Sequence, residues 1–357
     1  MKQENYNVVA VMSGTSLDGV DLAHVSLTHN DAKWAFKIGA AVTVPYTVAW
    51  VERLKLAVDF SPEQLESLNK EYTLLLSGII SSFIEEHKLA GIDAVCSHGH
   101  TIQHRPQEGF TLQIGNLPEI ATLTGHKTVC DFRVQDVELG GQGAPLVPIG
   151  DRLLFSEYTY CLNLGGFSNI SFEEGMNRIA FDICPVNTVL NYYANKLGRD
   201  YDDGGTLAAS GKIITELLKA LDALEFYSLP YPKSLGFEFV KEVVLPLMEK
   251  YNAPAEDKLR SFTEHIAMRI AEVIREKGEN GRLLVTGGGA YNSFLINRMK
   301  QLLPTSFIYL PDDTTIQYKE ALIFALLGVL KLRDEVNVLG SVTGAATDHS
   351  SGRIYLP

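Results

Sequence analysis

The sequence predicts an α/β protein of two domains, each opening on a hairpin with a glycine turn. Three observations carry that expectation. The chain has 357 residues, more than the roughly 250–300 that a single core usually accommodates. Its first 45 residues read as strands and then give way to helices and further strands, a pattern that restarts after "GGQGAPLVPIGDRLL". The two starts, "VVAVMSGTSLDGVDLAHVSL" and "TYCLNLGGFSNISFEE", also share one plan of strand, small-residue turn and strand, which suggests an internal duplication.

In chain order, "YNVVAVMSG", "DLAHVSLTH" and "WAFKIGAAVTVP" alternate or run apolar as strands do. Two helices follow. The second opens with Ser61 as N-cap, Pro62 at the first helical position and Gln64 closing a capping box, and it runs to about Lys88. "IDAVCSHG" and "HKTVCDF" read as buried strands with a short helix at "PEIATLTG" between them. After the restart come strands at "YTYCLNLGG", "FSNISFEE" and "RIAFDIC". Helices are expected at 187–197, 206–224, 237–250, 255–278, 292–302 and 317–332, with a strand at "RLLVTGG". The turn-rich tail from Leu339 reads as a flap or edge. The expected boundaries are 1–133, with part of 335–357, for the first domain and 134–334 for a nucleotide-binding second.

Composition narrows the class. Hydrophobic residues at 46% and charged residues at 21% describe an ordinary globular chain. A net charge of -12 argues against a general nucleic-acid or anionic-membrane surface, since both need basic patches. The start "MKQENYNVVAVM" has too short an apolar run for a signal peptide. No apolar stretch reaches the roughly 20 residues of a membrane span. Cys96, Cys130, Cys161 and Cys184 stand singly in apolar contexts without C-x-x-C spacing, as reduced core thiols of a cytoplasmic protein would.

The polar residues cluster at turns. Backbone N–H groups hold a phosphate where glycine lets the chain approach closely, and hydroxyls add donors. Gly14, Thr15, Ser16, Asp18, Gly19 and Asp21 form one such turn; Gly165, Gly166 and Asn169 form another. Either alone reads better as a structural hairpin, but two such turns together with a third site do not. Neither is a Walker loop, and no G-x-G-x-x-G follows the first strand. A third site lies at Gly287, Gly288 and Gly289, between a buried strand and a helix with Asn292 near its start, which suits a nucleotide.

Asp182 leaves an apolar strand, either as a general base with a raised pKa or as a cap for the next helix. Asp202, Asp203 and Gly204 in "YDDGGTLAASGK" suit a hydrated magnesium or an acidic N-cap. His98, His100 and His104 lack a nearby cysteine or carboxylate to complete a zinc set, and read better as donors to a polar ligand. Asp131, Arg133 and Asp136 precede a glycine loop. Arg133 could fork onto a carboxylate ligand or form an inter-domain ion pair. Glu320 opens the last apolar helix, where a carboxylate stabilises the N-terminus.

Taken together, "MSGTSLDGVD", "SHGHTIQHRP", "TLQIGN", "DFRVQDVELGGQGAPLVP", "LNLGGFSNI", "DGGTLAASG", "PKSLGFEF", "GGGAYN" and "YKEALIFALL" resemble the anhydro-N-acetylmuramic acid kinases. That family belongs to the actin and hexokinase class, and the resemblance covers nearly the whole chain. It implies a two-domain, ribonuclease H-like α/β fold with an ATP and sugar cleft between the domains. It also implies an activity: ATP and Mg2+ convert 1,6-anhydro-N-acetylmuramic acid to N-acetylmuramic acid 6-phosphate in peptidoglycan recycling. Water attacks the anomeric carbon, the bridge opens, and O6 takes the γ-phosphoryl group.

On this resemblance Asp182 is the base. Gly14, Thr15, Ser16, Asp18, Gly19 and Asp21 line the phosphates opposite Gly165, Gly166 and Asn169, while Gly204, Gly287, Gly288 and Gly289 serve the nucleotide. His98, Arg133 and Glu320 touch the sugar. Mg2+ would be held mainly through ATP and waters, and a cytoplasmic homodimer is expected. Two departures stand out. The family's usual F-D-T-G-P-G-N reads "FDICPVN" here, with Ile183, Cys184 and Val186, and the usual S-H-G-Q-T reads "SHGHT" with His100. The first leaves open a regulatory nucleotide- or sugar-binding protein without catalysis, or a kinase for a related sugar.

Overall fold

The computed structural model describes residues 3–14, 16–278 and 280–357. Thr15, expected in the first phosphate turn, lies outside the described residues. The chain forms two compact units, Met1–Leu154 with Tyr318–Pro357, and Phe155–Gln317.

The first unit is built on a sheet of β1 (Asn5–Ser13), β2 (Gly19–Asn30), β3 (Lys33–Pro45), β4 (Ala94–Arg105), β5 (Phe110–Ile114) and β6 (Thr128–Cys130). A last strand, Arg353–Tyr355, pairs antiparallel with β6, so the tail forms an edge as expected. β1 is buried along nearly its whole length, which explains its unbroken apolar run. β1, β2 and β3 form an antiparallel meander, and β4 and β6 add parallel beyond β1. Over this sheet lies the helix Pro62–Glu86. Its capping box is intact: Gln64 N donates to Ser61 Oγ at 3.3 Å and Ser61 N donates to Gln64 Oε1 at 2.8 Å. Its buried stripe of Leu65, Leu68, Tyr72, Leu76, Ile80 and Phe83 follows the helical period.

The second unit repeats the plan. β7 (Tyr160–Leu164), β8 (Phe167–Glu174) and β9 (Asn177–Pro185) form a meander; β10 (Arg282–Thr286) and β11 (Phe307–Tyr309) add parallel beyond β7. The order β11-β10-β7-β8-β9 matches β6-β4-β1-β2-β3 strand for strand. The helix Ala255–Lys277 supplies Leu259, Phe262, Ile266, Ile270 and Ile274 to its core.

Some expectations need correction. The first unit extends to Leu154 rather than 133, because Val134–Glu138 packs on β5 and Val147–Leu154 on β3. It also regains the chain at Tyr318 rather than 335, since the rear of the last long helix packs there, with Ile323 against Gly150. That helix starts at Asp313, where Asp312 accepts from Thr315 N at 3.0 Å, and breaks at Tyr318 (φ -109, ψ 18), so Glu320 stands in the first turn of its apolar second part. The expected helix 206–224 divides into Thr206–Ser210 and Thr215–Asp222, broken where Gly211 meets the Glu256 carbonyl. β5 and β11 are too short for their sequence pattern to announce.

Candidate active site

In the first unit the turn after β1 is closed by Leu17 N donating to the Gly14 carbonyl at 3.4 Å. Ser16 Oγ donates to Asp18 Oδ1 at 2.6 Å, and Thr43 Oγ1 donates to Asp21 Oδ1 at 2.5 Å. Burial pushes the Asp21 carboxyl up, with the nearby Asp18 charge adding to it. A Cβ at Gly14 would lie 3.4 Å from Ser16 Oγ and 3.9 Å from Ser16 N, ordinary contacts, so packing among the described residues does not demand glycine there. Gly19 differs: a Cβ would strike the Val44 carbonyl, so its glycine is explained by strand packing.

β4 carries His98, and the segment after β6 carries Arg133. Arg133 Nε donates to His98 Nε2 at 2.8 Å and Nη1 donates to the Gly143 carbonyl at 2.6 Å. His98 Nδ1–H donates to the Gly99 carbonyl at 3.0 Å, so the ring is a neutral acceptor at Nε2. Burial, reinforced by Arg133, holds its pKa well below the ordinary histidine value. Burial likewise lowers Arg133 to about 10, against the favourable charges of Glu320 and Asp136.

Glu320 has Arg133, Asp21, Lys319 and Asp18 as electrostatic neighbours. Crowding by protein raises its carboxyl above the usual range, although its side chain stays open to solvent. The first unit therefore gathers Asp18, Asp21, His98, Arg133 and Glu320 into one electrostatic neighbourhood. Asp136 is structural. It is fully buried and accepts from Gly143 N at 2.6 Å and Thr343 Oγ1 at 2.7 Å, fixing the loop that receives Arg133.

The three histidines do not make a zinc site. Ser13 Oγ partners His100 and Thr111 Oγ1 partners His104, while Arg133 takes His98. Among the described residues no three metal-capable side chains cluster anywhere.

In the second unit a polar row crosses the sheet. Thr286 of β10 is registered with Asn163 of β7, Asn163 with Asn169 of β8, and Asn169 with Asp182 of β9. Asp182 Oδ2 accepts from Leu235 N at 2.8 Å, and Asp182 N donates to the Lys233 carbonyl at 3.0 Å. Oδ1 has no partner among the described residues. Burial raises the Asp182 carboxyl, opposed by the Leu235 bond. One oxygen is anchored and one is free, as a general base requires.

The helix after Asp182 begins at Asn187 and takes no side-chain cap from it, so the capping alternative falls. None of residues 183 to 186 adopts a left-handed backbone. Ile183 and Cys184 therefore continue β9 at no cost that glycine would have spared, whereas Val186, at φ -130 and ψ -96, stands outside the ordinary helical and extended regions.

The turns after β7 and β10 meet around Asn163. A Cβ at Gly165 would lie 3.2 Å from Asn163 Nδ2, and one at Gly287 would lie 2.5 Å from Asn163 Oδ1. Gly287, at φ 82 and ψ 167, holds a backbone that other residues avoid. The carbonyls of Gly165 and Gly166 receive the N–H groups of Val186, Asn187 and Thr188. Ser293 Oγ donates to the Gly204 carbonyl at 3.0 Å, bringing Gly204 to the helix that follows Gly287–Gly289.

Asp202 accepts from Leu207 N at 2.7 Å and Ala208 N at 3.0 Å. Both its oxygens cap a helix, so it does not serve magnesium. Asn163 and Thr286 escaped sequence reasoning; their signal was a polar side chain inside the apolar runs "YCLNL" and "RLLVT".

Two α/β units of one strand order, with a glycine turn after the first strand of each, form the two-domain α/β fold that the resemblance to sugar kinases implies. The family model described as anhydro-N-acetylmuramic acid kinase matches residues 6–357, and the chain belongs to that family. It is 36% identical to the Pasteurella multocida anhydro-N-acetylmuramic acid kinase, over 99% of this chain and 98% of the relative. It is likewise 36% identical to the Pseudomonas fluorescens enzyme of that name, over 97% and 98%. Among solved structures it is similar to the activator of the 2-hydroxyisocaproyl-CoA dehydratase from Clostridium difficile with bound ADPNP, at 13% identity and a TM-score of 0.45, over 92% of this chain and 96% of that one. A likeness of that size carries no functional weight.

Proposed function

We propose that this kinase hydrolytically opens 1,6-anhydro-N-acetylmuramic acid and phosphorylates O6, giving N-acetylmuramic acid 6-phosphate for cell-wall recycling. The observation that carries the reading is Asp182, fixed through Oδ2 with Oδ1 free, at the end of a polar row that starts beside Gly287. In this reading Oδ1 takes a proton from the water attacking the anomeric carbon. The C1–O6 bond breaks, O6 receives the γ-phosphoryl group, and ADP leaves. Gly287–Gly289, Gly204, Gly165 and Gly166 serve the nucleotide, with Asn169 and the Gly14–Asp21 turn near its phosphates. His98, Arg133 and Glu320 serve the sugar.

Mg2+ needs only one or two carboxylates beside phosphates and waters, which fits a chain without a three-ligand cage among its described residues. Asp18 and Asp21 are the carboxylates suited to that role, and the ion would offset phosphate charge. Four free, buried cysteines agree with a reducing cytoplasm. The purely regulatory alternative is not favoured, since relatives named anhydro-N-acetylmuramic acid kinase match over nearly the whole chain and Asp182 is kept with one oxygen free.

The test is sugar-dependent ADP release from the wild type and from Asp182→Asn. The variant should lose about a hundredfold or more in kcat while still binding ATP. Wild-type kcat/KM should fall as pH drops through the raised range of the Asp182 carboxyl. Release only with another sugar would reassign the substrate, and ATP binding without turnover would restore the regulatory reading.

A further inference from the structure

A row of hydroxyls ends on His100, and the row fixes which nitrogen of that ring carries the proton. Tyr72 Oη lies 2.5 Å from Tyr46 Oη, Tyr46 Oη lies 2.6 Å from Ser13 Oγ, and Ser13 Oγ lies 2.7 Å from His100 Nδ1. Tyr72 is sealed from solvent, and its hydrogen bond is to Tyr46, so Tyr72 donates. Passing the protons on in the same sense satisfies Tyr46 and Ser13 within the row and makes Nδ1 the acceptor. Burial pushes the His100 imidazole down to about 4, so the ring is neutral near pH 7. Its single proton then sits on Nε2.

That Nε2–H is not used by the protein. His100 is 2% exposed, and Nε2 has no hydrogen-bond partner among the described residues. Nε2 is not sealed within the protein and keeps a narrow opening to solvent. The surroundings are those of the candidate sugar residues. His100 is an electrostatic neighbour of His98, which receives Arg133, and Tyr46 senses Asp18 and Asp21. A row of three hydroxyls, with Ser13 and Tyr72 buried and Tyr46 half-buried, that orients one free donor is more than packing requires.

We propose that His100 is a specificity-determining residue whose Nε2–H donates to an uncharged oxygen of the bound sugar, a hydroxyl or an amide carbonyl. Ser13, Tyr46 and Tyr72 are positioning residues that hold the ring and its tautomer. The inference rests on the sugar-kinase reading above.

Two substitutions separate this role from a structural one. Asn places an amide oxygen near the Nδ1 position, so His100→Asn keeps an acceptor for Ser13 and removes the outer donor. Gln places an amide nitrogen near the Nε2 position, so His100→Gln keeps the donor and removes the acceptor. With the anhydro sugar, His100→Asn should raise the sugar KM and the calorimetric Kd by about three- to tenfold, the worth of one neutral hydrogen bond. Its kcat and its KM for ATP should stay within about twofold. His100→Gln should stay close to wild type in all three.

The opposite pattern, with Gln impaired and Asn normal, would make His100 a support for Ser13 and overturn the proposal. Equal loss in both variants, or loss in neither, would overturn it as well. A measurement on the wild type guards against misfolding of the variants: nitrogen-15 NMR should show His100 protonated at Nε2, with that signal shifting when sugar is added. A ring protonated at Nδ1 would overturn the proposal. A wild type that binds ATP but no anhydro sugar would remove the functional reading itself, a separate result.

Discussion

Arg133 directs two donors at the protein, Nε at His98 and Nη1 at the Gly143 carbonyl, and its Nη2 has no partner among the described residues. The guanidinium is therefore oriented from behind with one edge to spare, in a neighbourhood that holds Glu320, Asp21 and Asp18. A lysine cannot reproduce this, because a single ammonium does not span a planar fork. Arg133→Lys should raise the sugar KM about ten- to hundredfold, the worth of a charged hydrogen bond, and leave the KM for ATP unchanged. Steady-state kinetics with each substrate varied in turn would check it. Equal rises in both KM values would show that the change had disturbed the fold rather than the sugar. At this scale the sequence pointed to the right residues but not to their geometry. Arg133 and His98 stand 35 positions apart, and no local pattern says that one ring nitrogen receives one guanidinium.

Among the elements, the glycine turns divide into those that need glycine for the fold and those that do not. Gly287 is needed: its φ of 82 strains any side chain, and a Cβ would lie 2.8 Å from the Leu164 carbonyl. Gly288 is not: a Cβ there would meet only Asn187 Nδ2, at 3.7 Å, and its backbone is not left-handed. On the proposed nucleotide-site reading, a glycine that the fold does not require, at the start of a helix and open to solvent, is kept free for the ligand. Gly288→Ala should therefore leave stability within about 0.5 kcal/mol and raise the KM for ATP about tenfold by blocking close approach. Gly287→Ala should destabilise by about 1–3 kcal/mol, since strain of that size has no compensation. Urea unfolding beside ATP kinetics would distinguish them. Normal ATP binding by a well-folded Gly288→Ala would exclude this turn from the nucleotide site. Three consecutive glycines were visible in the sequence, but not which of them packs against Asn163 and Leu164.

Across the whole molecule, the duplicated plan was legible because strand and turn signals are local: both meanders and most helices fall where the apolar periods put them. The unit boundaries were not, since Val134–Leu154 and the helix beyond Tyr318 join the first unit through packing alone. Packing also seals charge-capable rings in both units, and this has a consequence for acid stability. His98 and His100 in the first unit and His265 in the second are buried, and burial is the main cause that lowers all three, His100 to about 4 and His265 to about 3. Unfolded histidines titrate near 6.5. Between that value and the folded one the unfolded chain binds more protons, so stability falls as pH falls, by about 1.4 kcal/mol per pH unit for each fully sealed ring. Asp21, Asp131, Asp182 and Glu320 act in the opposite sense, because their folded carboxyls are raised and gain stability on protonation. Their effect grows as pH falls from their raised folded values towards the ordinary carboxylate range near 4, so they offset the histidines increasingly at the acid end. Urea midpoints should therefore drop steadily from pH 7 to 5.5 and keep falling below it until the carboxyl protonations offset the loss. Replacing His265 with glutamine should reduce the slope in that window even if it lowers stability at pH 7, because the lost titration is a separate quantity from the lost packing. A midpoint that holds or rises between pH 7 and 5.5 would mean that these rings are charged and solvated in the folded protein, and His100 could then no longer be a neutral donor.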